Sequence, residues 1–178
     1  FEAEMPSVPA GDLATIQQPL DFFAANIYSG SYVRATSDGD FEPAADRNLP
    51  ETATGWPITP EALYWGPRFF HERYRLPIVI TENGMATDDS SENSGVNDPL
   101  RIEFLQSYLQ QYARAMADGV PAQGYFLWSV MDNFEWAEGY ARRFGLVHVD
   151  YASQQRTLKA SAHWYRQVIA AHGANLAD

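Results

Sequence analysis

The chain has 178 residues, 46% hydrophobic and 14% aromatic, with a formal net charge of −11 and no cysteine. That size and apolar content support one domain with a core and argue against disorder. The charge argues against nucleic acid and anionic membrane surfaces as partners, and the missing cysteines remove disulfides, thiolate nucleophiles and cysteine-ligated zinc.

No apolar run approaches the roughly 18 residues of a membrane span, and no Asn-X-Ser/Thr acceptor occurs. These features fit a cytoplasmic location. The chain opens at Phe1 in "FEAEMPSVPAGDLATIQQPL", which reads as the middle of a loop. Residues 21–35, "DFFAANIYSGSYVRA", carry aromatic and β-branched side chains and predict a first strand. Residues 36–60 are dense in Gly, Pro and Asp and predict a long surface loop. In "TPEALYWGPRFFHERY" Thr59 offers an N-cap, Pro60 suits the first helical position, and Leu63, Phe70 and Tyr74 recur on one face. Gly66-Pro67 either interrupts that helix or begins a second one.

"PIVITENGMA" (77–86) starts with four apolar residues, the pattern of a strand covered on both faces. Glu82 follows, then Asn83-Gly84, a pair that commonly turns the chain. After a polar loop (87–97), Asp98 as N-cap, Pro99 at the first position and Gly119 as stop frame a helix. Its expected buried stripe is Leu105, Tyr108, Leu109, Tyr112 and Met116. "GYFLWSV" predicts a third strand, followed by an aromatic loop (131–146), an extended "LVHVDY" and a closing helix expected to bury Leu158, Ala162, Tyr165 and Ile169. Strand and helix alternate, as in a parallel α/β sheet.

Unusual residues gather where each strand ends: Asn26 and Tyr28, then Glu82 and Asn83, then Trp128, Asp132, Asn133, Glu135 and Trp136. In parallel α/β folds that end carries the site. Each residue also has a structural reading: a loop carboxylate answering an arginine, a turn cap, a core aromatic. Glu135 between Phe134 and Trp136 sets acceptors beside flat apolar faces, which suits a sugar. His71, His148, His163 and His172 lack metal-ligand spacing, and "HERYR" is not His-Glu-X-X-His. There is no Gly-X-Ser-X-Gly elbow, phosphate loop or dinucleotide fingerprint.

"ITENG" together with "WSVMDNFEWAEGYARRFGLVHVDY" resembles family 1 of the glycoside hydrolases, the β-glucosidase family. "QPLDFFAANIYSG", "GWPITPEALYW" and "RTLKASAHWYRQVI" extend the resemblance over nearly the whole chain. It implies the C-terminal portion, about three βα units, of a (β/α)8 TIM barrel. It implies Glu82 as the nucleophile of a retaining β-glycosidase, with Tyr28 contacting that carboxylate and Asn26 nearby on the same strand. Trp128, Glu135, Trp136 and Phe144 match residues of the sugar pocket.

Relatives acting on 6-phosphorylated sugars usually carry serine where this chain has Glu135. A carboxylate there would repel phosphate. The expected substrate is therefore an unphosphorylated β-glucoside or cello-oligosaccharide, with no metal or other cofactor.

The family's acid/base glutamate lies in a Thr-Phe-Asn-Glu-Pro-like motif that this chain does not contain. The N-terminal part of the enzyme, as a separate chain, is the expected partner. The alternative is a carbohydrate-binding fragment without catalysis.

Overall fold

The computed structural model describes residues 7–44, 48–88 and 96–177. In chain order the elements are α1 (Asp12–Ile16), β1 (Phe23–Asn26), β2 (Val33–Ala35), β3 (Phe41–Pro43), α2 (Ala62–Tyr74), β4 (Ile78–Asn83), α3 (Pro99–Ala117), β5 (Ala122–Leu127), β6 (Val147–Val149), β7 (Arg156–Leu158) and α4 (Ala160–Ala170). Short 3-10 turns cover Trp136–Glu138 and Ala174–Ala177.

A three-stranded sheet in the order β1-β4-β5, parallel throughout, forms the centre, and β2-β3 and β6-β7 are small antiparallel pairs. The α/β alternation expected from the sequence is thus present. Residues 21–35 hold two strands instead of one. β1 stops at Asn26, and β2 turns away to pair with β3 inside the segment expected to be loop.

Parallel strands need a helical crossover to return the chain, and α2 and α3 supply it. Both pack on the face that presents Ile78 and Ile80, with Leu63, Tyr64, Phe104, Leu105, Tyr108 and Tyr112 in the core between them. The other face is only half covered: Val79 and Thr81 keep part of their surface, so β4 is not buried on both sides. Phe23 closes one end of the core by stacking on Phe70 (4.5 Å) and Tyr74 (4.9 Å).

α2 runs unbroken through Gly66 and Pro67. A Cβ at Gly66 would sit 2.9 Å from Ile27 Cδ1, so the helix passes close to the segment after β1 there. Thr59 does not cap α2. Its hydroxyl accepts from Gly30 N (2.7 Å), tying the helix start to the loop after β1. Asp98 precedes α3 as expected, but its carboxylate turns elsewhere, to Ser161 N (2.9 Å) and Ser161 Oγ (2.6 Å), and so caps α4.

Four expected core positions lie outside: Tyr74, Met116, Leu158 and Ile169 are exposed. Leu158 ends β7 and does not enter α4, so it never reaches the helix face. The polar loop at 87–97 falls partly outside the described residues.

Candidate functional site

An uninterrupted alternation along β4 would turn Glu82 to the core side with Ile78 and Ile80. One extra residue prevents this. Against β1, Ala25 faces Ile80 while Asn26 faces Glu82, and against β5, Tyr125 faces Ile80 while Leu127 faces Asn83. Both neighbours therefore skip a residue of β4 near Thr81. Such a bulge re-aims a side chain at the end of a strand. Asn83 takes the core position instead of Glu82 and is fully buried.

Asn83 is not a turn residue here. Its Nδ2 donates to Ile27 O (2.8 Å), its Oδ1 accepts from Tyr125 Oη (2.7 Å), and its carbonyl accepts from Trp128 N (2.9 Å). One side chain thus links the C-terminal ends of β1, β4 and β5. Gly84 follows because a Cβ there would lie 1.9 Å from the Trp128 carbonyl oxygen. The peptide between Trp128 and Ser129 is cis.

With the strand ends fixed, Tyr28 Oη donates to Glu82 Oε2 at 2.7 Å. Burial, that hydrogen bond, and the nearby charges of Glu82 and Glu135 all raise the Tyr28 pKa far above the usual tyrosine range. Tyr28 therefore stays a neutral donor at any working pH. Glu135 Oε2 is buried and has no hydrogen-bond partner among the described residues. A buried acceptor left open costs free energy unless something arrives to donate to it.

Phe144 is buried, with its ring 6.4 Å from Tyr28. Trp128 is half-buried at the end of β5. Two expected members stand apart. Asn26 accepts from Thr81 Oγ1 (2.7 Å) and is Glu82's backbone neighbour in the sheet, making no side-chain bond to its carboxylate. Trp136 is 81% exposed.

Trp56 is a member that the sequence reading missed. Its ring is 5.1 Å from Tyr28 and 6.1 Å from Phe144. The turn before it closes through Thr52 N to Trp56 O (2.9 Å) and Gly55 N to Thr52 O (2.8 Å), and Ala53 N reaches Ala86 O (3.2 Å), four residues past Glu82. A lone tryptophan after a glycine in an otherwise polar loop was the available signal.

The site thus holds one carboxylate oxygen on a neutral donor, a second carboxylate with an open acceptor, and aromatic walls. That combination can hold a polyhydroxylated ring, accepting from its hydroxyls and packing its C–H faces, while a fixed anion faces it.

The family model described as glycosyl hydrolase family 1 matches residues 2–174. Beta-glucosidase A of Thermotoga maritima is 44% identical over 172 residues, which cover 95% of this chain and 39% of that protein. The 1,4-beta-D-glucan glucohydrolase of Thermotoga neapolitana is 47% identical over 165 residues, covering 91% and 37%. Among solved structures, a beta-glucosidase from Thermotoga maritima in complex with castanospermine superposes with a TM-score of 0.82 at 44% identity, covering 92% of this chain and 38% of that one. The chain spans about two-fifths of the length of these relatives.

Proposed function

The chain belongs to glycosyl hydrolase family 1, and from that premise we propose that it supplies the nucleophile and part of the sugar pocket of a retaining β-glycosidase. The observation that carries the reading is the Tyr28–Glu82 hydrogen bond (2.7 Å) at the ends of neighbouring parallel strands. In this reading the sheet is part of a (β/α)8 barrel, its C-terminal portion. The remaining strands and the acid/base group come from the N-terminal part of the enzyme, as a separate chain.

Glu82 attacks the anomeric carbon of a β-glucoside. The bond from that carbon to the aglycone oxygen breaks, and the leaving oxygen takes a proton from the acid/base on the other part. Water then attacks the glycosyl ester from the opposite face, giving its proton back to the same group. Two inversions return the β-configuration. Tyr28 steadies the carboxylate before attack and after release, Trp128 and Phe144 wall the ring, and Glu135 accepts from sugar hydroxyls. Asn26 sets the strand end beside Glu82, and Trp136 completes the pocket once the rest of the barrel is in place. A carboxylate at Glu135 disfavours a phosphorylated sugar, so the substrate is an unphosphorylated β-glucoside or cello-oligosaccharide.

The test uses the assembled enzyme and an activated 2-deoxy-2-fluoro-β-glucoside, whose covalent intermediate hydrolyses slowly. Peptide mass mapping is expected to find the adduct on Glu82, and Glu82→Gln to abolish turnover. An adduct on another residue would remove the nucleophile assignment. Sugar binding without any adduct or turnover would leave a carbohydrate-binding fragment. The native mass decides the partner: a particle well above 20.0 kDa that separates into this chain and a larger one is expected.

A further inference from the structure

Asp132 lies on the loop from β5 to β6, three residues before Glu135. Its side chain is fully buried. Oδ1 accepts from Gly145 N (3.0 Å) and Lys159 Nζ (3.0 Å), and Oδ2 from Arg143 Nη1 (2.6 Å) and Val149 N (3.3 Å). The donors come from the return limb of the loop, from β6 and from the start of α4. The limbs also touch backbone to backbone: Asp132 N donates to Val147 O (3.0 Å), and a Cβ on Gly145 would meet Asp132 N at 2.1 Å.

Lys159 is as buried as its partner. Desolvating such a pair often costs as much as the attraction returns, and apolar residues of equal volume would serve stability as well. What an apolar pair could not provide is four directional acceptor positions.

Those positions act on the site. Gly145 N is adjacent to Phe144, whose carbonyl accepts from Ser129 N (3.2 Å) and whose ring edges Tyr28 and Trp56. Tyr28 in turn holds Glu82.

We infer that Asp132 is a positioning residue: it fixes the β5–β6 loop so that Phe144 backs Tyr28 and Glu135 faces the same sugar, without itself touching substrate. The inference rests on the roles proposed above for Glu82 and Glu135. Burial pushes the Asp132 carboxyl up. The charge of Lys159 and the donors on Arg143, Lys159 and Val149 outweigh that and hold it below the usual range. The anion is the acceptor-only form that four donors require.

The experiment measures Asp132→Asn in the assembled enzyme, with sites counted by covalent labelling so that unfolded protein drops out. Asn keeps the size but turns N–H groups toward donors. Per labelled site, kcat/KM on an aryl β-glucoside is expected to fall roughly 10²-fold, as for misplaced groups, with KM rising. Preference for the glucoside over its galacto epimer is expected to shrink. A lower melting temperature with wild-type constants and epimer ratio per site would mean a merely structural role, and would overturn the inference.

Should Asp132→Asn not assemble, Arg143→Gln decides. It removes one donor at a position 18% exposed, and a smaller change in the same direction is expected. Unchanged constants and ratio there overturn the inference equally. Wild-type enzyme that fails to label at Glu82 would take down the functional reading as well, whereas the outcomes above take down this inference alone.

Discussion

Tyr28 depends on remaining a phenol. Its raised pKa keeps the proton on the ring oxygen even where a free tyrosine would ionise, so the bond to Glu82 does not lapse as pH rises into the alkaline range. Tyr28→Phe deletes the donor and leaves the ring between Trp56 and Phe144. A loss of kcat of roughly 10²-fold is expected, the size seen when one preorganised donor is removed. Steady-state kinetics with an unchanged near-UV dichroism spectrum would check it, and an unaltered kcat would leave Tyr28 a packing residue. Glu135→Ala should keep turnover but flatten discrimination between glucosides and galactosides. An unchanged ratio would take Glu135 out of the pocket.

At the scale of elements, the bulge in β4 and the close approach after it matter most. Gly84 lets the Trp128 carbonyl touch the backbone, and a methyl group would stand 1.9 Å from that oxygen. Gly84→Ala is expected to destabilise by about 3 kcal/mol or more, at the upper end for overpacking, measured by denaturant unfolding of the assembled enzyme. A change within the ordinary surface range would mean that the strand ends move apart easily.

Much of this scale was legible in the sequence. Pro99 and Gly119 frame α3, and the apolar run of β4 and the β/α order announced a parallel sheet. The bulge was not legible, because a single extra residue leaves no mark in composition. Nor was the pairing of Asp98 with Ser161, which lie 63 positions apart. Local rules gave Asp98 the nearest helix, and tertiary packing gave it another. Tyr74 and Ile169 show the converse failure: helical spacing selects a face, but how far that face is covered depends on what packs against it.

At the scale of the whole molecule, two buried ionic nodes among the described residues join the loops to the helices. Arg101 bonds Asp98, Thr87 Oγ1 (2.6 Å) and the Arg143 carbonyl (2.7 Å), while the Arg143 guanidinium reaches Asp132. Arg143 belongs to both nodes. Removing one partner weakens the node without stranding it: Lys159→Met leaves Asp132 paired with Arg143 and two backbone donors, and is expected to cost less than the roughly 3–5 kcal/mol of a wholly uncompensated buried charge, as read by denaturant unfolding.

Asp132 has a folded pKa below its unfolded value. Its contribution is therefore complete above the unfolded carboxyl range and is lost as pH falls through about 4 toward the folded value. Melting temperatures recorded from neutral pH downward should hold level and then drop below about pH 4, and a Lys159→Met variant should show a weaker drop. Equal acid slopes in both proteins would deny Asp132 that share. The charges were visible in the sequence, but apart from Asp98 and Arg101, three residues apart, their partners were not, since Thr87, Arg143, Asp132 and Lys159 come from separate loops and helices.

Asn83-Gly84 carries one more consequence. Asparagine before glycine is the pair most prone to lose its amide nitrogen, because the glycine N–H can attack the side-chain carbonyl and close a cyclic imide. Here the carboxamide is fully buried and bonded at both ends, to Ile27 and Tyr125. The ring cannot close while those bonds hold. Chemical ageing at this position therefore acts as a clock that runs only in chains that have opened, and isoaspartate at residue 83 in stored protein would record how often the strand ends come apart.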